Sequence, residues 1–395
     1  MTAATLRWPA AGPSGPVPPR LAALDAAVAA GAGGVYTAAV ILVARGGAVV
    51  FHRAYGWLDP ATQQRATQPD SLFDLASVTK LYTVTLFMTL VDAGSVGLDQ
   101  PVATVMPEFS GERVIGRFEH PLTGEIEGYD YPATTVDADR VTFRQLLTHT
   151  SGLPAWTPLY RLKTREAALA AVLTSDFAYP TGARLVYRDL GLILLTEAIE
   201  RLTGEPLPVA LRRRVLDPLG MRETMFNPPP DRWARIAPTE VCRWRARRLV
   251  GEVHDENAGR LGGVSGHAGL FAPAADVAVL GQTYLNGGAY GDTRLLRAET
   301  VAEMTRLQAE QDGDRRGLGW MLQGVGDWRR RGLSDAAFGH TGFTGTSLWV
   351  DPPRQLVLVL LTNRVYFGRD AAGITALRQQ VYEEATKDEA PTTKV

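Results

Sequence analysis

The longest apolar runs of this chain lie near its two ends, and turn residues bound each run. Runs of this kind predict strands, here at residues 36–43, 49–55, 347–350 and 355–362. Helical periodicity precedes the first pair of runs, over residues 20–30, and follows the second pair, over residues 371–385. The pattern therefore predicts one antiparallel sheet that is built from both chain termini and flanked by helices.

The middle of the chain has mainly helical periodicity. Its predicted helices are residues 78–93, 142–147, 164–173, 189–202, 207–216, 274–285 and 298–308. The fold class is therefore α/β, of the α+β type, with an inserted and mostly helical region. We assign 19–75 and 310–395 to the sheet part of one catalytic domain and 76–309 to its helical part. Residues 1–18 are expected to form a disordered or extended leader, and residues 110–139, which lack periodicity, a surface excursion.

Composition excludes several classes of partner. Of the 395 residues, 45% are hydrophobic and 21% are charged, and the formal net charge is −1, which leaves no excess of positive charge for nucleic acid. The apolar stretch at residues 38–44 is too short to span a bilayer, and the first twenty residues lack the apolar segment of a signal peptide. Cys242 is the single cysteine. We therefore expect a cytoplasmic protein without a membrane span, acting on small molecules.

Lysine is rare in this chain, since only four of its 41 basic residues are lysine. A guanidinium group cannot lose its proton near neutral pH, whereas an amine can. A chain that uses arginine for most of its surface charge has a physical reason to keep lysine where a proton must move. Lys80 is the lysine that lies in an apolar segment.

Ser77 and Lys80 open a predicted helix that is apolar on nearly every face as far as Val91. Such a helix is expected to be buried. Positions i and i+3 share a helix face, so Lys80 is placed beside the Ser77 hydroxyl, and burial can prepare a lysine as a base. The alternative is that Ser77 only caps the helix and that Lys80 is a solvated residue of the first turn.

Two further motifs contain chemically useful residues. Tyr187 stands where a short apolar segment changes into an apolar helix, a position from which a phenol could relay a proton in a cleft. The alternative is a half-buried tyrosine, with Asp189 capping the helix. Near the other end, Gly342 follows His340 and Thr341, and a glycine there would let a ligand approach the strand backbone.

The order of the three motifs is more specific than any one of them. Ser-x-x-Lys near residue 80, Tyr-x-Asp near residue 190 and His-Thr-Gly before the last strands resemble the serine β-lactamase and penicillin-binding-protein superfamily. The resemblance is to its class C β-lactamase, D,D-peptidase and family VIII carboxylesterase branch. It extends over about residues 35–384 and includes segments 146–153 and 266–271.

The resemblance implies a β-lactamase/transpeptidase-like fold and a role for each motif. It makes Ser77 the acylated nucleophile, Lys80 its base or proton store, and Tyr187 the group that protonates the leaving group and activates water. The backbone N–H groups of Ser77 and Phe343 would form the oxyanion hole. We expect neither a cofactor nor a metal.

The expected substrate-binding residues depart from the family pattern at two positions. They are Asp189, His340, Thr341 and Gly342. Asp189 stands where the family usually has asparagine, so an anion replaces an amide. His340 stands where the motif often has lysine, a variant also found among D,D-peptidase-like members.

Other kinds of active site fit the sequence less well. No Gly-x-Ser-x-Gly elbow occurs, and the nearest approach, at residues 263–267, lacks the closing glycine, which disfavours an α/β-hydrolase. The segment around His149 is interpreted as a structural turn near the cleft. No His-Glu-x-x-His spacing supports a metal site, although four residues could be considered as ligands: His254, Asp255, Glu256 and His267.

These observations predict a serine hydrolase that forms an acyl-enzyme on Ser77. An intracellular carboxylesterase acting on small acyl esters is the first choice, because no export signal is recognised. The alternatives within the family are a β-lactamase and a D-alanyl-D-alanine carboxypeptidase or D-amino-acid amidase, which would act on β-lactam-like or peptide substrates. A non-catalytic penicillin-binding or sensor protein is a more remote alternative.

Overall fold

The computed structural model describes residues 2–9, 17–120, 123–132, 134–324 and 332–387. Residues 10–16 of the expected leader and the tail after residue 387 lie outside the described residues. The largest element is an antiparallel sheet of eight strands, here numbered in chain order: β1 (Ala38–Arg45), β2 (Ala48–Gly56), β3 (Ala309–Gln311), β4 (Asp314–Arg316), β5 (Met321–Leu322), β6 (Phe338–Thr341), β7 (Ser347–Asp351) and β8 (Leu356–Thr362).

The order of the strands joins the two ends of the chain. Across the sheet it is β3, β4, β5, β6, β7, β8, β1, β2, so the N-terminal hairpin pairs with the last C-terminal strand. In that pairing Ile41 lies opposite Leu360. The predicted fold class, an antiparallel sheet made from both termini with helices against it, is confirmed.

Ten α-helices occur in the described part of the chain: α1 (Ala22–Ala30), α2 (Thr79–Asp92), α3 (Phe143–Leu147), α4 (Arg165–Leu173), α5 (Leu190–Thr203), α6 (Leu207–Leu211), α7 (Glu256–Arg260), α8 (Ala274–Leu285), α9 (Ala298–Thr305) and α10 (Ala372–Thr386). Sequence periodicity predicted most of them to within a few residues. The helix expected over 207–216 becomes a π-helical turn after Leu211, and the short α7 was not predicted. Among the described residues, no helix is long and apolar enough to cross a membrane.

The sheet separates two apolar layers. One face carries Ile41, Trp349 and Leu358 and packs on the terminal helices α1 and α10. The other face carries Val40 and Val359 and packs on α8 and the helical region. Strands β1 and β8 are thus buried on both faces, which explains why their sequences are apolar runs without a polar alternation.

Short strands outside the large sheet position the loops around the helical region. Phe73–Asp74, Leu270–Ala272 and Met225–Phe226 form a three-stranded sheet, which places the segment before α2 beside the segment that follows residue 266. The surface excursion at 110–139 contains two short antiparallel pairs in its described residues, Glu112–Val114 with Thr135–Asp137 and Phe118–Glu119 with Ile126–Glu127.

Helix α8 approaches the sheet closely at Gly281. A Cβ atom at this position would lie 2.6 Å from Val357 Cγ1 and 2.9 Å from Leu348 Cδ1. Both neighbours are methyl groups of branched side chains in the core. We expect Gly281→Val to lower the free energy of unfolding by about 1–3 kcal/mol, the usual cost of overpacking a core, measured by denaturant unfolding.

Gly97→Val is the matched control. Gly97 is exposed, and a Cβ atom there would be 3.6 Å from its nearest neighbour, Gln100 Cβ. The control should change the free energy of unfolding by less than the Gly281 variant. Equal losses in the two variants would contradict the packing argument.

Candidate active site

Ser77 lies in a strained connection between a strand and a helix. It is the middle residue of a 3-10 turn, Ala76–Val78, that leads from strand Phe73–Asp74 into α2. Ala76 has a φ of 46°, a left-handed conformation that is unusual for a residue with a side chain. The buried Asp74 carboxylate holds this turn, because its Oδ1 accepts a hydrogen bond of 2.8 Å from the Ala76 N–H. Strain of this kind is often found at functional sites.

Lys80 is buried on the first turn of α2, with 1% of its surface exposed. Its Nζ donates to Ser77 Oγ at 3.0 Å and to the His267 carbonyl oxygen at 3.1 Å. It also lies 2.8 Å from Asp189 Oδ1. The structure therefore brings together the two residues of the Ser-x-x-Lys motif, and Lys80 is not the solvated residue of the alternative interpretation.

Asp189 changes the electrostatics that burial alone would give. Burial lowers the pKa of Lys80, but the Asp189 carboxylate and Tyr187 raise it, and the net pKa lies above its ordinary value. This rise in the Lys80 pKa is opposite to the fall that burial in an apolar helix alone would cause. At neutral pH Lys80 is consequently an ammonium group paired with a carboxylate, rather than a free amine.

Tyr187 stands over the same ammonium group. Lys80 Nζ is 4.9 Å from the centre of the Tyr187 ring, and Arg316 Cζ is 5.1 Å from it. Burial raises the pKa of Tyr187, and although Lys80 lowers it, the net pKa remains above the ordinary value. The phenol is therefore protonated at neutral pH, so it can donate a proton.

Phe343, whose backbone N–H is expected in the oxyanion hole, lies in the same region. Phe343 follows β6, and no hydrogen-bond acceptor for its N–H occurs among the described residues. Gly342 explains how the loop comes so close to Ser77, because a Cβ atom there would lie 2.5 Å from the Leu75 carbonyl oxygen. Only glycine allows the loop to pack directly on the segment before Ser77.

His340 is buried rather than on the open surface of the site, whereas Thr341 is partly exposed. His340 is 1% exposed, and its Nδ1 is 2.8 Å from the Thr341 carbonyl oxygen. Burial, and then the charges of Arg316 and Lys80, lower the pKa of His340 well below its usual range. The ring centre lies 5.8 Å from that of Tyr187. A direct contact of His340 with substrate stays a prediction, whereas its contact with Tyr187 is present in the fold.

A cavity of about 270 Å³ opens beside Ser77. Its apolar wall is formed largely by Ala155, Trp156, Ala268 and Phe343. The full lining is Ala76, Ser77, Ala155, Trp156, Tyr187, Asp189, His254, Asp255, Glu256, His267, Ala268, Phe343 and Arg369. Of the four expected substrate-binding residues, Asp189 lines this cavity, whereas the other three do not.

A hydrogen-bonded chain of serine, histidine and aspartate, which no sequence motif indicated, lies near the cavity. Ser265 Oγ is 2.7 Å from His267 Nδ1, and His267 Nε2 is 2.9 Å from Asp255 Oδ1. A neutral imidazole satisfies both contacts if Nε2–H donates to the carboxylate and the hydroxyl donates to Nδ1. Ser265 is 1% exposed and does not line the cavity, so this chain supports the His267 segment and does not present a nucleophile.

Two of the four residues considered as metal ligands, Asp255 and His267, lie close to Asp189. Asp189, Asp255 and His267 place possible ligand atoms within 4.8 Å of one another. The Lys80 ammonium already occupies Asp189 Oδ1, and His267 already bonds through both ring nitrogens. A cation would have to compete with these partners, so we assign no metal to the group.

Comparison with known proteins gives one consistent family. The sequence profile of the Beta-lactamase family matches residues 20–383. A protein of Escherichia coli (strain K12) named "Putative D-alanyl-D-alanine carboxypeptidase" is 31% identical over 363 residues, which cover 83% of this chain and 79% of that protein. A Salmonella typhi protein of the same name is 31% identical over 370 residues, with the same coverage of 83% and 79%.

Solved structures share the fold at lower sequence identity. A penicillin-binding-protein homologue from Caulobacter crescentus aligns with a TM-score of 0.73 at 22% identity, covering 94% of this chain and 98% of the homologue. A family VIII carboxylesterase aligns with a TM-score of 0.69 at 22% identity, covering 94% of this chain and 99% of the esterase.

The Asp189→Asn variant tests the electrostatics of the buried pair. Because the amide carries no charge, we expect the pKa of Lys80 to fall relative to the parent protein. NMR titration with isotope-labelled lysine can measure this, since the chain has only four lysines. Lys163 serves as an internal control and should titrate identically in both proteins. An unchanged Lys80 titration would contradict the assigned role of Asp189.

Proposed function

This chain belongs to the beta-lactamase family, and from that premise we propose that it is a serine hydrolase that cleaves small carboxylic esters through an acyl-enzyme on Ser77. The observation that carries the proposal is the 3.0 Å contact of Lys80 Nζ with Ser77 Oγ at the edge of a cavity. A hydroxyl that faces a cavity and bonds to a buried amine is the arrangement that nucleophilic catalysis requires.

The proposed proton path starts from a charged Lys80. A substrate that fills the cavity removes water from Asp189, and loss of water weakens the stabilisation of separated charges. A proton then moves from Nζ to the Asp189 carboxylate. The resulting amine accepts the Ser77 proton as Oγ forms its bond to the acyl carbon. Tyr187 protonates the departing alkoxide and regains its proton from Lys80, and Asp189 returns its own proton to Lys80.

In the proposed second half of the reaction, water replaces the alcohol. Lys80 again gives a proton to Asp189, and Tyr187, whose ring lies beside Lys80, passes its phenol proton to the resulting amine as it accepts a proton from the attacking water. Lys80 then protonates the departing Ser77 oxygen and recovers its own proton from Asp189. The N–H groups of Ser77 and Phe343 are proposed to bind the negative oxygen of both tetrahedral intermediates. Two observations support this role: the Phe343 N–H has no acceptor among the described residues, and Phe343 lines the cavity.

The charges of the cavity favour neutral esters over carboxylate-bearing substrates. Asp189, Asp255 and Glu256 line it, and Arg369 is the only permanent cation among the described lining residues. Arg369 already pairs with Glu256 and with Glu240, the latter at 2.6 Å. Asp189 is paired with Lys80, and Glu256 shares Arg369 with Glu240, so carboxylates outnumber their cationic partners. A substrate carboxylate would therefore meet an excess of negative charge and no free cation on the described wall. For this reason we rank an esterase first.

A D-alanyl-D-alanine carboxypeptidase is the second candidate, because the curated relatives are named for that activity. A β-lactamase would use the same nucleophile. Its substrates also carry a carboxylate, which the cavity charges disfavour. The cytoplasmic location proposed from the sequence agrees with an esterase.

Replacement of Ser77 by alanine tests the nucleophile. We expect Ser77→Ala to abolish both labelling by a fluorophosphonate probe and ester turnover, because it removes the attacking oxygen at little cost in volume. Ser265→Ala is the matched control, since Ser265 belongs to a Ser-His-Asp chain but is buried. This control should keep its covalent label, as measured by intact-protein mass spectrometry.

The reverse pattern, with loss of the label only in Ser265→Ala, would move the nucleophile to Ser265. A parent protein that takes up no label and cleaves no ester would instead support the non-catalytic alternative.

The choice among substrates is tested by a panel. We expect kcat/KM for p-nitrophenyl esters to exceed that for nitrocefin and for a D-Ala-D-Ala peptide, because the cavity charges disfavour carboxylates. A matched substrate pair, one free acid and its methyl ester, isolates the effect of the carboxylate. Faster turnover of the acid or of the D-Ala-D-Ala peptide would favour the carboxypeptidase.

A further inference from the structure

Two arginines that have no carboxylate partner hold the loop after β6. Arg378 of α10 donates from Nη2 to the carbonyl oxygens of Gly342, at 2.9 Å, and Thr346, at 2.7 Å. Arg364 donates from Nε to the Phe343 carbonyl oxygen at 2.7 Å. Among the described residues, no carboxylate lies within salt-bridge distance of either guanidinium. Every hydrogen bond that the described residues accept from these two guanidinium groups is accepted by a backbone carbonyl.

The Gly342 carbonyl has a special position in this loop. It belongs to the same peptide unit as the Phe343 N–H, the group proposed for the oxyanion hole. It accepts a second hydrogen bond, of 3.1 Å, from the Gly345 N–H. Hydrogen bonds to a peptide oxygen draw electron density from its nitrogen and make the N–H a stronger donor. A charged donor has a larger effect than a neutral one.

A buried charge without an oppositely charged partner costs free energy, so the burial of the Arg378 guanidinium suggests that its charge has a role. Burial lowers the pKa of Arg378, the direction that marks loss of hydration, yet a guanidinium stays charged at neutral pH. Arg378 does not line the cavity, whereas Phe343 does. The direct contact between this cation and the cavity wall is therefore the Gly342–Phe343 peptide.

We propose that Arg378 is a positioning residue that polarises the Gly342–Phe343 peptide and so strengthens the Phe343 N–H as an oxyanion donor. This inference rests on the proposed function. It gives the C-terminal helix a part in transition-state stabilisation as well as in covering the sheet. The donor itself is retained when Arg378 is replaced, so the loss should be smaller than the 10²–10³-fold loss that follows removal of an oxyanion donor.

The test compares Arg378→Met, which removes the charge, with Arg378→Lys, which keeps it. For a p-nitrophenyl ester we expect kcat to fall about tenfold in the methionine variant, with KM changed by less than about twofold, because the contact strengthens only as negative charge develops. The affinity for a boronic acid, whose tetrahedral adduct with serine mimics the intermediate, should fall by the same factor. The lysine variant should lose less kcat and less boronic acid affinity than the methionine variant.

Chemical rescue separates this role from a structural one. Arg378→Ala leaves space for a guanidinium ion, so low millimolar methylguanidinium should restore part of kcat in that variant and not in Arg378→Met. Arg113→Met is the matched control, because Arg113 also donates to backbone carbonyls, those of Ser110 and Leu173, but lies outside the cavity lining. Its kcat and boronic acid affinity should equal those of the parent.

Three results would overturn the inference. The first is a folded Arg378→Met protein whose kcat and boronic acid affinity stay within about twofold of the parent. The second is a loss of kcat that the boronic acid affinity does not follow. The third is an Arg378→Ala variant with a parental Tm and reduced kcat that methylguanidinium fails to restore. A parent protein that hydrolyses no ester would overturn the proposed function itself, which distinguishes the two failures.

Discussion

The buried ammonium of Lys80 is the constraint on which the site depends. An ammonium group has three N–H donors and cannot be left unpaired in a protein interior. Here Ser77 Oγ and the His267 carbonyl accept hydrogen bonds of 3.0 and 3.1 Å, and Asp189 Oδ1 forms an ion pair at 2.8 Å. These partners come from the turn that leads into α2, from the segment before Leu270 and from the segment before α5. One charge therefore fixes the relative positions of three distant parts of the chain.

A second set of hydrogen bonds supports the segments around Lys80. The His267 side chain bonds to Ser265 and Asp255, and Asp255 also accepts from the Ala258 N–H at the start of α7. On the other side, Asp74 accepts from the backbone N–H groups of Ala76 and His254. Each carboxylate ties a cavity-lining loop to a neighbour, so the network that satisfies buried charge also shapes the cavity.

Local patterns in the sequence were enough for the sheet, most helices and the Ser77–Lys80 contact. Apolar runs bounded by turns locate strands, and i, i+3 spacing on one helix is a local geometric fact. The Asp189–Lys80 pair could not be read in this way, because its members are 109 positions apart and no periodicity links them. The same holds for Arg378 and Gly342, which are 36 residues apart. Burial, which a local pattern can indicate, lowers the pKa of Lys80, whereas the Asp189 carboxylate that raises it is visible only in the fold.

Both proposals follow from where charge is placed around Ser77. Lys80 and Arg378 are cations that contact Ser77 and the Gly342–Phe343 peptide, whereas Asp189, Asp255 and Glu256 line the cavity. Negative charge that develops on an acyl oxygen between them would be attracted inward, towards the two backbone N–H groups. A carboxylate elsewhere on the substrate would be repelled by the cavity wall. In the proposed mechanism, one arrangement of charge therefore both stabilises the oxyanion and repels anionic substrates. A neutral ester benefits from the first effect and does not experience the second.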